Sequence, residues 1–207
     1  EILPLIEPGV SERAIGAKLD YLFKMNGGDG PSFETIVASG YRGSWAHGVA
    51  SDKKIQKGEL IVIDFGSFYH GYTADITRTV ALGQVEKKKK KIYYIVLEAQ
   101  KRGIAAAIAG NTGKDIDQAG RNYIREQGYG EYFGHGIGHG IGLEVHELCT
   151  PAMPYSKEVM KNNMAITVEP GIYLPDRGGV RIEDDVLIKD NHPYVMSQLP
   201  KDELLIL

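Results

Sequence analysis

The chain has 207 residues, of which 43% are hydrophobic and 25% charged, with a formal net charge of −3. That is an ordinary globular composition with enough polypeptide for one domain and a sizeable core. Acidic and basic residues are interleaved and no apolar run is long enough to span a bilayer, so nucleic acid and membrane are both excluded as expected partners.

The single cysteine, Cys149, rules out an internal disulfide and fits a reducing, cytoplasmic setting. The chain opens EILPLIEPG without an initiator Met and reads as a fragment, in which any targeting segment would be invisible. In chain order, SERAIGAKLDYLFKMNGG predicts a surface helix capped by Ser11, with Ile15, Leu19, Leu22 and Phe23 on one face and a stop at Asn26-Gly27. ETIVAS, LIVIDFGSFY and YTADITRTVAL predict strands. A longer helix is expected from Glu86 to Ala109 with Ile92, Val96, Ala99, Ile104 and Ile108 inward, its lysines 87 to 91 forming a solvated face. TGKDIDQAGRNYIREQG predicts a third helix ending at Gly128. FGHGIGHGIGLEVHE holds three histidines among five glycines; so much glycine argues against a helix and for backbone that turns sharply or approaches something closely. MAITVEPGIYL, VRIEDDVLI and YVMSQL complete the strand set, and the class is α+β.

Two stretches resemble one another. IQKGELIVIDFGSFYHGYTADITRTVAL and VMKNNMAITVEPGIYLPDRGGVRIEDDVLI each run from a lysine-bearing turn through an apolar strand to an acid, a glycine two residues later, a turn, and a second acid on the return strand. A duplicated half-domain with two αβ units about a pseudo-twofold axis is the economical reading. With Tyr69-His70 as a two-residue turn, Asp64 and Asp75 face each other with Cβ atoms roughly 5 Å apart. Glu169 and Glu183 repeat the pattern around the longer turn PDRGG. Four carboxylates in apolar strands outnumber the two nearby arginines, Arg78 and Arg181, so more positive charge is required. Four carboxylates and an imidazole suit Mn²⁺, Co²⁺, Fe²⁺ or Zn²⁺ in a shared two-metal site, where the cations acidify water and polarise a carbonyl. Hydrolysis of an acyl bond is the reaction class that follows.

SFETIVASG, AHGVASDK, IDFGSFYHGYTADITRTV, YFGHGIGHGIGLEVHE, TVEPGIY and VRIEDD, six motifs in order over essentially the whole chain, resemble the catalytic domain of the Xaa-Pro aminopeptidases and prolidases. These are relatives of methionine aminopeptidase with the pita-bread fold. The resemblance implies that residues 1–207 form one metallopeptidase catalytic domain with two divalent ions, Mn²⁺ first among the candidates, and that the N-terminal domain of the full-length protein is absent. It implies that Asp64 binds one metal, that Asp75 and Glu183 bridge both, and that His139 and Glu169 bind the other. Spacing alone does not choose His139 over His135. By the same resemblance His146 stabilises the oxyanion, His47 and His135 hold the substrate, Arg181 steadies Glu183, and Glu169 carries a proton to the leaving nitrogen. His47, His146 and Glu169 are thus the expected catalytic set, while His70 and His192 match no motif and are expected at the surface.

Two positions depart from the family pattern: Ala46 stands where proline is usual, and Trp45 replaces a smaller aliphatic residue beside His47. The expected activity is removal of an N-terminal residue that precedes proline, from peptides with proline at the second position. The nearest rival is a dipeptidase restricted to Xaa-Pro, which shares every metal motif. The aminopeptidase is preferred because IVASG followed by HGVASDK looks more like that branch, and because no basic residue in the site motifs is free to clamp a prolyl carboxylate. Methionine aminopeptidase and a metal-free binding module are the remaining alternatives, and the full-length form is a candidate homodimer.

Overall fold

The computed structural model describes the backbone of residues 1–207 and all side chains except those of residues 148–151, so the surroundings of Cys149 lie outside the described residues. Helix α1 (Glu12–Met25) starts where expected, with Ser11 Oγ accepting from the Ala14 amide at 3.2 Å. It buries Ile15 and Leu19 and leaves Leu22 and Phe23 half-buried. Strand β1 (Gly30–Pro31) precedes β2 (Ile36–Ser39), β3 (Glu59–Phe65), β4 (Ser67–Phe68) and β5 (Ile76–Leu82). β2, β3 and β5 form an antiparallel sheet in that order, and β1 pairs with β4.

The tip of the first hairpin corrects the expected register. Tyr69 and Tyr72 bridge one another, and the turn residues are His70 (φ 50°) and Gly71 (φ 83°), the left-handed pair that a tight two-residue hairpin turn requires. Asp64 is therefore opposite Thr77, not Asp75. Asp75 lies two residues from that partner, so the two acids are diagonal neighbours rather than a direct pair.

In the second half, α2 (Lys87–Ala106) is shorter at its end than expected, and α3 (Gly113–Glu126) is closed by a reciprocal cap between Thr112 and Asp115. Then follow β6 (Gly138–Gly140), β7 (Glu147–Ala152), β8 (Ala165–Val168), β9 (Gly171–Leu174), β10 (Gly178–Arg181), β11 (Asp184–Lys189) and β12 (His192–Val195). One sheet runs β12-β11-β8-β6-β7 and β9 pairs with β10, so the two long strands expected around VEPG and RIED are each interrupted at their acid. Pro170, which lacks an N–H, accounts for the break on one side. The ladders on either side, Val168 with Asp184 and Gly171 with Arg181, keep one register and set Glu169 across from Glu183. The strand expected over YVMSQL ends at Val195; beyond it the Met196 amide still donates to Asp185 before the chain leaves the sheet.

β6 was not expected as a strand. It lies so close to β8 that a Cβ on Gly138 would come within 1.9 Å of the Thr167 carbonyl oxygen, so glycine is what permits the pairing. The halves match in detail: Gly9 donates to Ile55 O at 2.8 Å and Gly110 to Met160 O at 3.0 Å, and the two caps, Ser11 and Thr112, form isolated bridges with Lys54 and Val159. The larger core cluster joins α2 and α3 to the second sheet, and a much smaller one lies under α1. Among the described residues no helix is long and apolar enough to cross a membrane.

Candidate metal centre

Asp64 near the end of β3, Asp75 just before β5, His139 in β6, Glu169 between β8 and β9, and Glu183 between β10 and β11 all line one cavity of about 450 Å³. His47, His135, His146, Tyr173 and Arg181 line it too. Every residue that the resemblance assigned to the metals or the substrate, with Arg181, therefore lines one cavity, contributed by both halves. Donor atoms of Asp75, His139 and Glu183 lie within 4.8 Å of one another. His139 Nε2 is 3.5 Å from both Asp75 Oδ2 and Glu169 Oε1. His70 and His192 are exposed.

Concentrating carboxylates in a buried place is expensive, and the proton affinities show it. Burial pushes Asp75 up to about 10, with the charges of Asp64, Glu169 and Asp185 adding to it. Burial also raises Glu169 to about 8 and Glu183 well above the carboxylate range. His139 is pushed down to about 4 by burial, which keeps its ring neutral. Its Nδ1–H meets Gly140 O at 3.0 Å, so the Nε2 lone pair points at the carboxylates. Asp64 Oδ1 and Glu183 Oε1 are buried with no hydrogen-bond partner among the described residues. Acceptors without donors, facing a neutral imidazole lone pair, are the donor set a divalent cation takes, so the residues present fit metal.

One arginine expectation is corrected. Arg181 does not reach Glu183 directly. It donates to Asp64 Oδ2 at 2.6 Å, to Tyr173 Oη at 2.9 Å, to Ala46 O at 3.2 Å and through Nε to Thr77 Oγ1 at 3.0 Å; the Thr77 hydroxyl in turn donates to Glu183 at 2.6 Å. The guanidinium compensates Asp64 while Thr77 carries the contact onward. Arg78 turns away from the cavity. It bonds Asp184, the Glu183 carbonyl and the Leu199 carbonyl, since its strand position points it to the opposite face from Thr77.

His135 has both ring nitrogens engaged within the protein: Nδ1–H donates to Gly136 O at 2.7 Å, and Nε2 accepts from Tyr173 at 2.8 Å, whose oxygen is filled by Arg181. Tyr173 was not expected at the site; only its position two residues after the glycine of VEPG hinted at it. Burial raises its hydroxyl to about 12, so it remains a donor. Glu12 was likewise missed. Fully buried beneath the loop that carries His47, it accepts from Ser39, Arg42 and Ser51, and Arg42 reaches on to Val49 O at 2.8 Å. Nothing in its place on an amphipathic helix marks such a role. His146 is exposed, with its ring 4.2 Å from that of His139, and Trp45 packs on Tyr41 and Arg42 rather than on His47.

Residues 1–190 match the family described as metallopeptidase family M24. The chain is 54% identical over 186 residues to a Xaa-Pro dipeptidase of Pyrococcus horikoshii, covering 90% of this chain and 53% of that protein. It superposes on a Xaa-Pro dipeptidase from Bacillus anthracis with a TM-score of 0.97 at 50% identity, covering 100% of this chain and 57% of that one. An X-Pro aminopeptidase from Thermotoga maritima gives 0.96 at 45% identity over 100% and 58% of the two chains. The α+β pita-bread architecture is thus shared with solved relatives, and the chain spans little more than half the length of each.

Proposed function

The chain belongs to metallopeptidase family M24, and from that premise we propose that its 207 residues are the catalytic domain of a binuclear-metal Xaa-Pro dipeptidase. The observation that carries the reading is the cluster itself: Asp64, Asp75, His139, Glu169 and Glu183 lining one cavity, with buried carboxylate oxygens that no donor among the described residues satisfies. The choice of substrate rests on the dipeptidase relatives at 54% and 53% identity, and it reverses the order expected from sequence.

Asp64, Asp75 and Glu183 with His139 and Glu169 would hold two divalent ions, Mn²⁺, Co²⁺, Zn²⁺ or Fe²⁺ by donor type. When bound, such ions acidify water and polarise the scissile carbonyl. The remaining steps fall to the chain. An amide nitrogen is too poor a leaving group as its anion and departs only after gaining a proton, which Glu169, lining the cavity, would deliver. His146 stands exposed at the mouth with no bond inside the protein among the described residues, free to donate to the carbonyl oxygen as it becomes negative. His135, Tyr173 and Arg181 form a fixed wall, and Arg181 also holds the Ala46 carbonyl beside His47.

One observation favours the aminopeptidase as second reading. Among the described residues Arg181 is the only lysine or arginine lining the cavity, and its donors are committed, so a dipeptide carboxylate finds no spare cation among these residues. Imidazoles of His47 and His146, or polypeptide beyond these residues, would have to receive it. Comparing hydrolysis of Ala-Pro with Ala-Pro-Ala by the protein loaded with Mn²⁺ or Co²⁺ decides between them. Release of proline from the dipeptide supports the proposal; cleavage of the tripeptide alone overturns it in favour of the aminopeptidase.

A further inference from the structure

His146 makes no side-chain hydrogen bond among the described residues and stands exposed, yet a donor to a developing oxyanion is effective only if it is in place before the charge forms. Whatever holds it must therefore act through the backbone that carries it. That backbone, residues 141–147, is a closed loop. Its ends are fixed where Gly140 pairs with Glu147 and where the Ile141 amide donates to Ala165 O at 3.2 Å, but Leu143, Glu144 and His146 between them are exposed. An exposed loop with no further ties opens easily.

Two side chains from opposite halves of the molecule supply the ties. Thr73, two residues before Asp75 in the first half, donates its amide to Gly142 O at 2.8 Å. Its hydroxyl reaches Gly142 O at 3.0 Å and Glu144 O at 3.3 Å. Glu147, at the start of β7, curls back under the loop, and its Oε1 accepts from the amides of Leu143 at 2.9 Å and Glu144 at 3.2 Å. Bonds from backbone amides to a carboxylate are stronger than bonds to a neutral acceptor. Gly142 leaves the room this needs, because a Cβ there would come within 3.0 Å of Glu147 Oε1. Neither Thr73 nor Glu147 lines the metal cavity, so their contacts act on the loop and not on a substrate.

We propose that Thr73 and Glu147 are positioning residues for His146. Glu147 fixes the shape of the loop, and Thr73 fixes its distance from the chain that carries Asp75, so that the oxyanion donor and a metal ligand keep one spacing. The proposal rests on the reading of His146 as that donor.

The test uses the Mn²⁺-loaded protein with Ala-Pro or Ala-Pro-Ala, whichever the parent cleaves. Thr73→Val and Glu147→Ala should each lower kcat about tenfold, with KM and bound metal little changed. Thr73→Ser and Glu147→Gln, which keep the hydroxyl and the acceptor oxygen, should recover most of the rate. In a His146→Ala background, Glu147→Ala should cost less than about a further twofold, because no imidazole remains to be placed. In the metal-free chain, amides of Leu143 and Glu144 should exchange about tenfold faster in Glu147→Ala and near the parent rate in Glu147→Gln. Faster exchange with an unchanged kcat would overturn the positioning role, as would an undiminished loss in the His146→Ala background or a loss of metal in step with the rate. Should His146→Ala itself keep the parent kcat, the oxyanion reading fails and the proposal falls with it; an impaired His146→Ala beside unimpaired Thr73→Val and Glu147→Ala sinks the positioning role alone.

Discussion

Asp64 and Arg181 meet at 2.6 Å across the two halves of the molecule, one from each duplicated hairpin. Both are almost wholly buried, so each charge depends on the other. Arg181→Met, which keeps bulk and removes charge, should destabilise the metal-free protein by about 3–5 kcal/mol in urea unfolding. Divalent metal should recover part of that loss, because the ions compensate the same carboxylate. Equal stability of variant and parent without metal would show that the pair contributes nothing.

Asp75 is crowded by Asp64, Glu169 and Asp185, and together with His139 and Glu183 it brings three donors within 4.8 Å. Asp75→Asn should cost bound metal and abolish hydrolysis. Elemental analysis of the purified variant decides it: two ions still bound with activity gone would make Asp75 a catalytic group rather than a ligand.

His146 offers a test of division of labour. It has no hydrogen bond to the described residues and lies beside His139 without sharing its neighbours Asp75 and Glu169. His146→Ala should lower kcat by roughly 10²–10³ with little change in metal content. Loss of metal in proportion to activity would make it a ligand and would undercut His139.

Much of this site was legible because acids in β-branched strands are conspicuous: DFG, ADITRT, VEPG and RIEDD could be picked out, and the duplication told which belonged together. What failed was register and reach. His70-Gly71 in left-handed conformations shifts the first turn by one residue from the expected Tyr69-His70, although histidine and glycine both tolerate positive φ better than tyrosine does. Arg181 was given to Glu183 by the family resemblance, but strand geometry sends its long side chain across to Asp64 in the other half, and only Thr77 links it to Glu183. β6 escaped notice because a glycine strand has no apolar period to read. Tyr173 and Glu12 act through contacts with residues 38 and 30 positions away respectively, which no local pattern encodes.

The last expectation concerns pH. A carboxylate whose folded pKa is raised holds a proton that the unfolded chain has already released, so it stabilises the fold below its ordinary pKa and loses that contribution as pH rises through the folded value. For Glu169 the window runs from 4.5 to about 8, and for Asp75 from 3.8 to about 10. The metal-free protein should therefore become less stable as pH rises across neutrality. Metal binds the deprotonated groups, so the stabilisation it gives should grow over the same range, with protons released on binding. Thermal melts of chelator-treated and Mn²⁺-loaded protein at about pH 5.5, 7 and 9 should diverge steadily, and calorimetry in buffers of different ionisation enthalpy should detect the released protons. A metal-free protein whose melting temperature rises from pH 5.5 to 9, or metal binding without proton release, would mean that these carboxylates are already ionised in the fold and that compensation comes from elsewhere.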